Sequence, residues 1–488
     1  MQLRPGFTAA MAIGAIGALG GGVASAQESG SSIETHADFT PIERFDPLTE
    51  SAECEEGGDP SEPFILPDGY KQRTIAVQGT GGTKDLWDMN TQNESGKDAG
   101  RYIYRTHEVG AALPTQTPDV QKKNGSQVTV TDLQTRKTTV VAERADWERF
   151  DGIVWTPQGT ILAAEETTKA AAPDREVPKA QAGLVYELYL DPSDPTKLDK
   201  TKGGGDGIAP RPGLGSKSHE GMRFDRQGNH YGISEVAGGG IFRFVPTKKG
   251  DLSSGKLQAL KTSNGRTGEG EWVDLDQAAA QVNADVEAGR VKANGYERPE
   301  DVETGTSTGR DAANGGNTLY VAVTGSSTVP GNVFAVDLSS ADKPFIYAYA
   351  GPEAGNADAK EFRSPDNLAL DSEGNLAITE DPGGNFTRPS DLGPNDPPFV
   401  QKTQGDDIWI AREPRGVNKR RAARQIQRFA TLTDCDAEPT GIYFSGAENE
   451  IKRSGRSVKT TRETLFVNQQ HAGPGDAQDR LVAITPSE

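Results

Sequence analysis

Carboxylates recur at the ends of short hairpins along this chain, and their spacing is the first sign of chemistry. Residues 365–381 read as a strand opening at Pro365-Asp366-Asn367, a tight polar turn at Gly374, and a strand closing at Glu380-Asp381. In an antiparallel pair these two ends lie side by side. Asp151 to Glu165-Glu166 and Glu220 to Glu235 repeat the pattern. The acid-to-acid offsets agree: 165 − 151 = 14, 235 − 220 = 15 and 380 − 366 = 14. Two looser copies run from Glu300-Asp301 to Gly325 and from Glu438 to His471, and Glu108 closes a further strand. Carboxylates gathered at one mouth repel unless protonated or neutralised by cations. Hard cations with all-oxygen shells meet that need, and Ca²⁺ tolerates irregular geometry best.

The elements that must position these acids are hairpins in a long repeat. The leading acids stand at 151, 220, 300, 366 and 438, in steps of 69, 80, 66 and 72. A period near 70 with one hairpin per unit predicts an all-β fold, a β-propeller of six large blades with long inter-strand insertions. Its innermost strands would carry the acids to one mouth of a central channel. Gly 58 and Pro 30 suit many turns, and only 275–291 reads as helix. Residues 79–100 read as a Gly/Asn/Asp-rich loop, 304–316 and 382–405 as long insertions.

Residues 1–26 carry Arg4, an apolar Gly-rich run and Ala24-Ser25-Ala26, the pattern of a signal peptide cut after Ala26. No twin arginine precedes the run, so the general secretory route is expected. Residues 27–60 read as a flexible acidic leader and 61–488 as a single propeller domain. No other segment approaches a membrane span. The expected product is a secreted or periplasmic monomer. Its charge without Arg4 is 51 − 71 = −20, which argues against nucleic acid as a partner. Cys54 and Cys435 fit a disulfide joining the chain ends, with two free thiols as the alternative.

The five histidines show no zinc-type spacing, and there is no G-x-S-x-G elbow and no P-loop. Several motifs come in a definite order: His107-Glu108, Pro157-Gln-Gly-Thr with Glu165-Glu166, Ser218-His-Glu-Gly221, Gly240-Ile-Phe-Arg-Phe-Val-Pro246, Arg298-Pro-Glu-Asp301, Ser364-Pro-Asp-Asn-Leu368, Glu438-Pro-Thr-Gly441 and Leu465-Phe-Val-Asn-Gln-Gln-His471. Over roughly residues 60–480 this set resembles the PhoX-type alkaline phosphatase family. The resemblance implies an exported six-bladed propeller with calcium and iron that hydrolyses small phosphate monoesters. It implies metal-facing roles for Glu108, Glu165, Glu166, Glu220, Glu300, Asp301, Asp366, Asn367 and Glu438. In such a site Arg298 or Arg363 would clamp phosphoryl oxygens, and His219 or His471 would protonate the leaving group. The family's iron-binding cysteine precedes the Glu-Glu pair, where this chain has Ala164; that calls Fe³⁺ bound through a thiolate into question. Two other classes stay open: a calcium-dependent lactonase or phosphotriesterase-like propeller, and a non-catalytic calcium-binding propeller.

Overall fold

The structure is a computed structural model. It describes Ile42 and residues 45–487, apart from 56, 97, 114, 264, 305–316, 327, 341, 357–360, 372–373, 382–403, 415–419, 446–448, 454–455, 461–463 and 473–477. All described residues belong to one compact unit, Ile33–Glu488. The expected signal peptide, and the insertions expected at 304–316 and 382–405 but for their end residues, lie outside the described residues.

The fold is an antiparallel β-propeller. Trp87–Gln92, Tyr102–His107, Gln127–Asp132 and Lys137–Glu143 form one meandering sheet, and Phe150–Trp155, Ile161–Glu165, Val185–Leu188 and Ile208–Pro210 form the next. A nine-stranded sheet follows. It runs outward from Met222–Phe224 through His230–Ile233 and Ile241–Pro246 to Gly255–Thr262 and Gly268–Asp274. There Gly268–Asp274 pairs with Phe345–Ala350, and the sheet returns inward through Asn332–Asp337 and Thr318–Val323 to Pro299–Thr304. The next sheet begins at Pro365–Leu370, and the last begins at Glu438–Phe444. In that last sheet the early strand Tyr70–Val77 pairs with the C-terminal strand Arg480–Pro486, so the two chain ends close the ring together. Cys54 and Cys435 form the disulfide that secretion would permit.

Among the described residues the innermost strands neighbour one another in a closed circuit, from Trp87–Gln92 through Phe150–Trp155, Met222–Phe224, Pro299–Thr304 and Pro365–Leu370 to Glu438–Phe444, which returns to Trp87–Gln92. Trp87–Gln92, Phe150–Trp155, Pro299–Thr304 and Pro365–Leu370 are buried at every residue, because adjacent sheets cover them from either side. Close approach of neighbouring inner strands requires glycine at two points. A Cβ on Gly152 would collide with the carbonyl of Glu220, and one on Gly221 with the carboxylate of Asp301. Between the sheets lie aliphatic and aromatic clusters, such as Met89, Tyr104, Trp147, Phe150 and Tyr186.

Three local expectations change. Residues 79–100 are not all loop: Trp87–Gln92 is a fully buried inner strand, because Trp87 and Met89 pack into the core while Asp88 and Asn90 meet polar partners. The helical segment at 275–291 is two short helices, Gln277–Ala280 and Ala284–Val291, each begun by its own cap, Asp276 and Asn283. The described end of the acidic leader lies against the body: Leu48 N–H donates to the Arg428 carbonyl at 3.1 Å, and Glu55 N–H to the Thr433 carbonyl at 2.9 Å.

Candidate metal centre

Four inner strands begin alike. Leu86, Arg149, Arg298 and Ser364 take the left-handed backbone, with φ of 56°, 41°, 53° and 42°. Each is followed by a bulky or rigid residue (Trp87, Phe150, Pro299, Pro365) and then by a carboxylate (Asp88, Asp151, Glu300, Asp366). Such φ values are costly for side chains larger than glycine's, so the turn is enforced by its surroundings. The enforcing bond is the same each time. The carbonyl of the left-handed residue accepts the N–H of the residue just beyond the neighbouring strand: Glu108 at 2.9 Å, Glu166 at 2.8 Å, Thr324 at 2.9 Å and Asp381 at 3.0 Å. Glu235 donates likewise to Ser218 at 3.1 Å. Each inner acid is thereby paired with a second polar residue. The pairs are Asp88 with Glu108, Asp151 with Glu166, Glu220 with Glu235, Glu300 with Thr324, and Asp366 with Asp381. In the last sheet His471 follows Gln470, the partner of Glu438, and its Nε2 stands 3.2 Å from Glu438 Oε1.

These acids share one field. Burial first, then the charges of Asp88, Glu166, Glu108 and Asp366, push Asp151 well above the usual carboxylate range. Glu220 is raised well above that range by burial and then by Asp151, Glu300 and Asp366. Burial raises Glu300 to about 7, with Arg298 opposing and Glu235 adding to the rise. Glu220, Glu300 and Asp366 are buried, and one ligand oxygen of each lies within 4.8 Å of the others.

Strand alternation separates the paired acids of the sequence motifs. Glu166 feels the Glu235 and Glu108 carboxylates, whereas Glu165 turns into the blade. There Glu165 accepts the N–H of Glu148 on one oxygen and that of Leu184 on the other, both at 3.0 Å. Asp381 joins the field of Glu438 and Glu300, whereas Glu380 Oε1 accepts the Arg363 N–H at 2.9 Å and the Trp409 indole N–H at 2.8 Å. Asp301 Oδ2 accepts the Leu368 N–H at 2.8 Å, and Asn367 Oδ1 accepts the Gly441 N–H at 2.5 Å. Asp301 and Asn367 thus tie each inner strand to the next, while their neighbours Glu300 and Asp366 share the acid field.

Three cations border the field. The Arg298 guanidinium reaches Glu235 at 2.9 Å, Glu300 at 3.2 Å and Asp381 at 3.5 Å. Burial pulls His471 down, but the hydrogen bond and charge of Glu438, with Glu108 and Asp479 behind it, raise it to about 10. Arg149 acts on Glu108 and Glu166 by charge. The other two residues expected at the chemistry sit elsewhere. His219 Nδ1 lies 2.8 Å from Lys217 Nζ and its Nε2 2.9 Å from the Gly215 carbonyl, in a buried pocket of its own. Arg363 is exposed; its backbone N–H donates to Glu380 and its charge acts on that same carboxylate, which turns into the blade.

Asp88, Arg149 and the pairing of Asp381 with Asp366 extend the motif set. Their common signal is readable afterwards: Leu86-Trp87-Asp88, Arg149-Phe150-Asp151, Arg298-Pro299-Glu300 and Ser364-Pro365-Asp366 are one turn. The spacing that holds across hairpins is also 15, not 14: 166 − 151, 235 − 220 and 381 − 366.

The donor set fits hard cations. Carboxylates and a hydroxyl suit calcium. It does not fit iron held by a thiolate: both cysteines are spent in the disulfide, and Ala164 is fully buried among Val154, Leu162, Val185 and Met222.

Comparison with known proteins agrees with this architecture. The family described as alkaline phosphatase PhoX matches residues 151–473. Among solved structures the chain is similar to Pseudomonas fluorescens PhoX in complex with vanadate, at 17% identity and a TM-score of 0.58, covering 91% of this chain and 98% of that one. It is similar also to a gluconolactonase from Xanthomonas campestris, at 10% identity and a TM-score of 0.45, covering 92% and 100%. No curated protein matches. With the family matched across most of its length and the propeller ring in place, the chain belongs to the PhoX alkaline phosphatase family.

Proposed function

We propose that this protein is an exported, calcium-dependent hydrolase of small phosphate monoesters whose site is the acid-lined mouth of a six-bladed propeller. The observation that carries the reading is the buried triad Glu220, Glu300 and Asp366, set within a ring of further carboxylates. Such a cluster is held together only by protons or by cations. Glu220, Glu300 and Asp366 would hold one ion, with Asp88, Glu108, Asp151, Glu166 and Glu438 available to others. Calcium held there would supply positive charge for the phosphoryl oxygens and would polarise an attacking water.

The chain's own residues prepare that site. Arg298 gathers Glu235, Glu300 and Asp381 and sets their spacing. His471 keeps a proton on Nε2 against Glu438 Oε1, a proton within reach of a leaving group at the same mouth. Asp301 and Asn367 fix the inner strands relative to one another. The N-terminal apolar run with its Ala24-Ser25-Ala26 site, and a disulfide suited to an oxidising compartment, support export to the periplasm or beyond. No helix of the described residues is long and apolar enough to cross a membrane.

The test is elemental analysis of the purified protein together with p-nitrophenyl phosphate turnover before chelation, after it, and on return of Ca²⁺. Bound calcium and chelation-sensitive turnover are expected. Calcium without phosphate-ester turnover would sink the phosphatase reading and leave a lactonase or a binding propeller.

A further inference from the structure

Arg149 and Arg298 hold the same structural position in two different blades. Each takes the left-handed backbone, at φ 41° and 53°. Each accepts through its carbonyl the N–H of the residue beyond the neighbouring strand, Glu166 at 2.8 Å and Thr324 at 2.9 Å. Each stands two residues before an inner-strand acid, Asp151 or Glu300. Arg149 is fixed from the other side as well, its N–H donating to the Val109 carbonyl at 3.0 Å. Its backbone is therefore wedged between the chain at Glu108 and the chain at Glu166.

Their guanidinium groups are used differently. That of Arg298 is committed to three carboxylates. The half-buried guanidinium of Arg149 makes no hydrogen bond and no ion pair among the described residues, although its charge acts on Glu108, Glu166 and Glu148. Glu148 spends one oxygen on the Ala171 N–H at 2.6 Å. A partly desolvated guanidinium beside many acids, yet paired with none, has its five donors available to an incoming anion. Its planar fork matches two oxygens of a phosphoryl group.

We propose that Arg149 is the substrate clamp of this site, taking the non-bridging oxygens of a phosphate monoester, while Arg298 is a positioning residue that holds the carboxylates. The assignment rests on the phosphatase reading, since an anion enters this mouth only once cations have neutralised its acids.

The test compares calcium-loaded wild type with R149Q and R149K, using p-nitrophenyl phosphate turnover and inhibition by inorganic phosphate. Loss of a charge-assisted fork should raise KM and the phosphate inhibition constant of R149Q together by about 10- to 100-fold, with a smaller fall in kcat. Calcium content should stay equal. R149K should recover part of the loss, because it returns charge without the fork, and it serves as the variant to read if R149Q misfolds. Unchanged KM and inhibition constants in R149Q, or full recovery of the fork by lysine, would overturn the clamp. Calorimetry of inorganic phosphate on the calcium-loaded protein separates the two readings. Phosphate binding lost in R149Q, with no turnover by wild type, would remove the phosphatase and keep the clamp. No phosphate binding by wild type would remove both.

Discussion

The Arg298 guanidinium sits 2.9 Å from Glu235 Oε1, and the same Nη2 reaches Glu300 and Asp381. One fixed cation thus offsets part of the repulsion among three carboxylates, one in the strand Pro299–Thr304 and two just past the ends of His230–Ile233 and Leu376–Glu380. Replacing it by methionine leaves those carboxylates uncompensated. With the side chain about a third exposed, the metal-free protein should lose about 1–3 kcal/mol. Saturating calcium should restore most of that loss. Denaturant unfolding of R298M with and without Ca²⁺ checks it; an equal loss under both conditions would mean that Arg298 acts through packing and not through charge.

Glu165 and Glu166 give a sharper contrast, since adjacent residues on a strand face opposite ways. In E165Q only one oxygen remains to accept, so the N–H of Glu148 or of Leu184 loses its partner. A cost of about 1–3 kcal/mol in stability follows, with calcium affinity near that of wild type. E166Q should do the reverse and weaken calcium binding without lowering stability, because it removes one of several repelling carboxylates. Isothermal calcium titration and unfolding of both variants would expose any exchange of these roles.

That contrast also marks what the sequence could and could not convey. The hairpin repeat and its turn at Gly374 were legible because alternating apolar residues and a glycine turn are local signals. Which carboxylate of each Glu-Glu or Glu-Asp pair joins the shared acid field was not, since it depends on register against the neighbouring strand: Phe150 pairs with Glu165, which puts Glu166 one step beyond, beside Glu108 and Glu235. Asp88 was hidden by a polar segment whose strand is held by distant partners, such as the Asp479 carboxylate accepting the Trp87 N–H at 2.8 Å. Arg149 was hidden because its meaning lies in a backbone angle that no residue type announces.

Protonation offers a third prediction. Burial raises Glu300 and Asp301 to about 7 from ordinary values of 4.5 and 3.8. A carboxyl raised in the folded state binds its proton more tightly there than in the unfolded chain. Its contribution to stability is present in full below the unfolded value and is lost as pH rises through the folded one. The metal-free protein should therefore lose stability between about pH 4 and pH 8. Calcium, competing with the Glu300 proton, should raise Tm more at pH 8 than at pH 5. Thermal unfolding at both pH values, with chelator and with Ca²⁺, would contradict this if the calcium increment were larger at pH 5.

Ring closure is made twice, and the two closures should have separable effects. Tyr70–Val77 zips onto Arg480–Pro486 by backbone pairing, and Cys54–Cys435 bridges a sequence separation of 381. A bond across so long a loop restricts the unfolded chain strongly, so C54S/C435S should be less stable by about 2–5 kcal/mol. The inner strand Glu438–Phe444 begins three residues after Cys435, close in sequence to the lost bond. Its placement, however, is carried by other contacts: the Asn367 side chain accepts the Gly441 N–H at 2.5 Å, and the Asn90 side chain donates to the Gly441 carbonyl at 2.7 Å. Calcium affinity and turnover at 25 °C should therefore match wild type within about twofold, even as the unfolding midpoint falls. A parallel loss of calcium affinity in the double serine variant would show that the disulfide, and not the Asn367–Gly441–Asn90 bridge, positions Glu438.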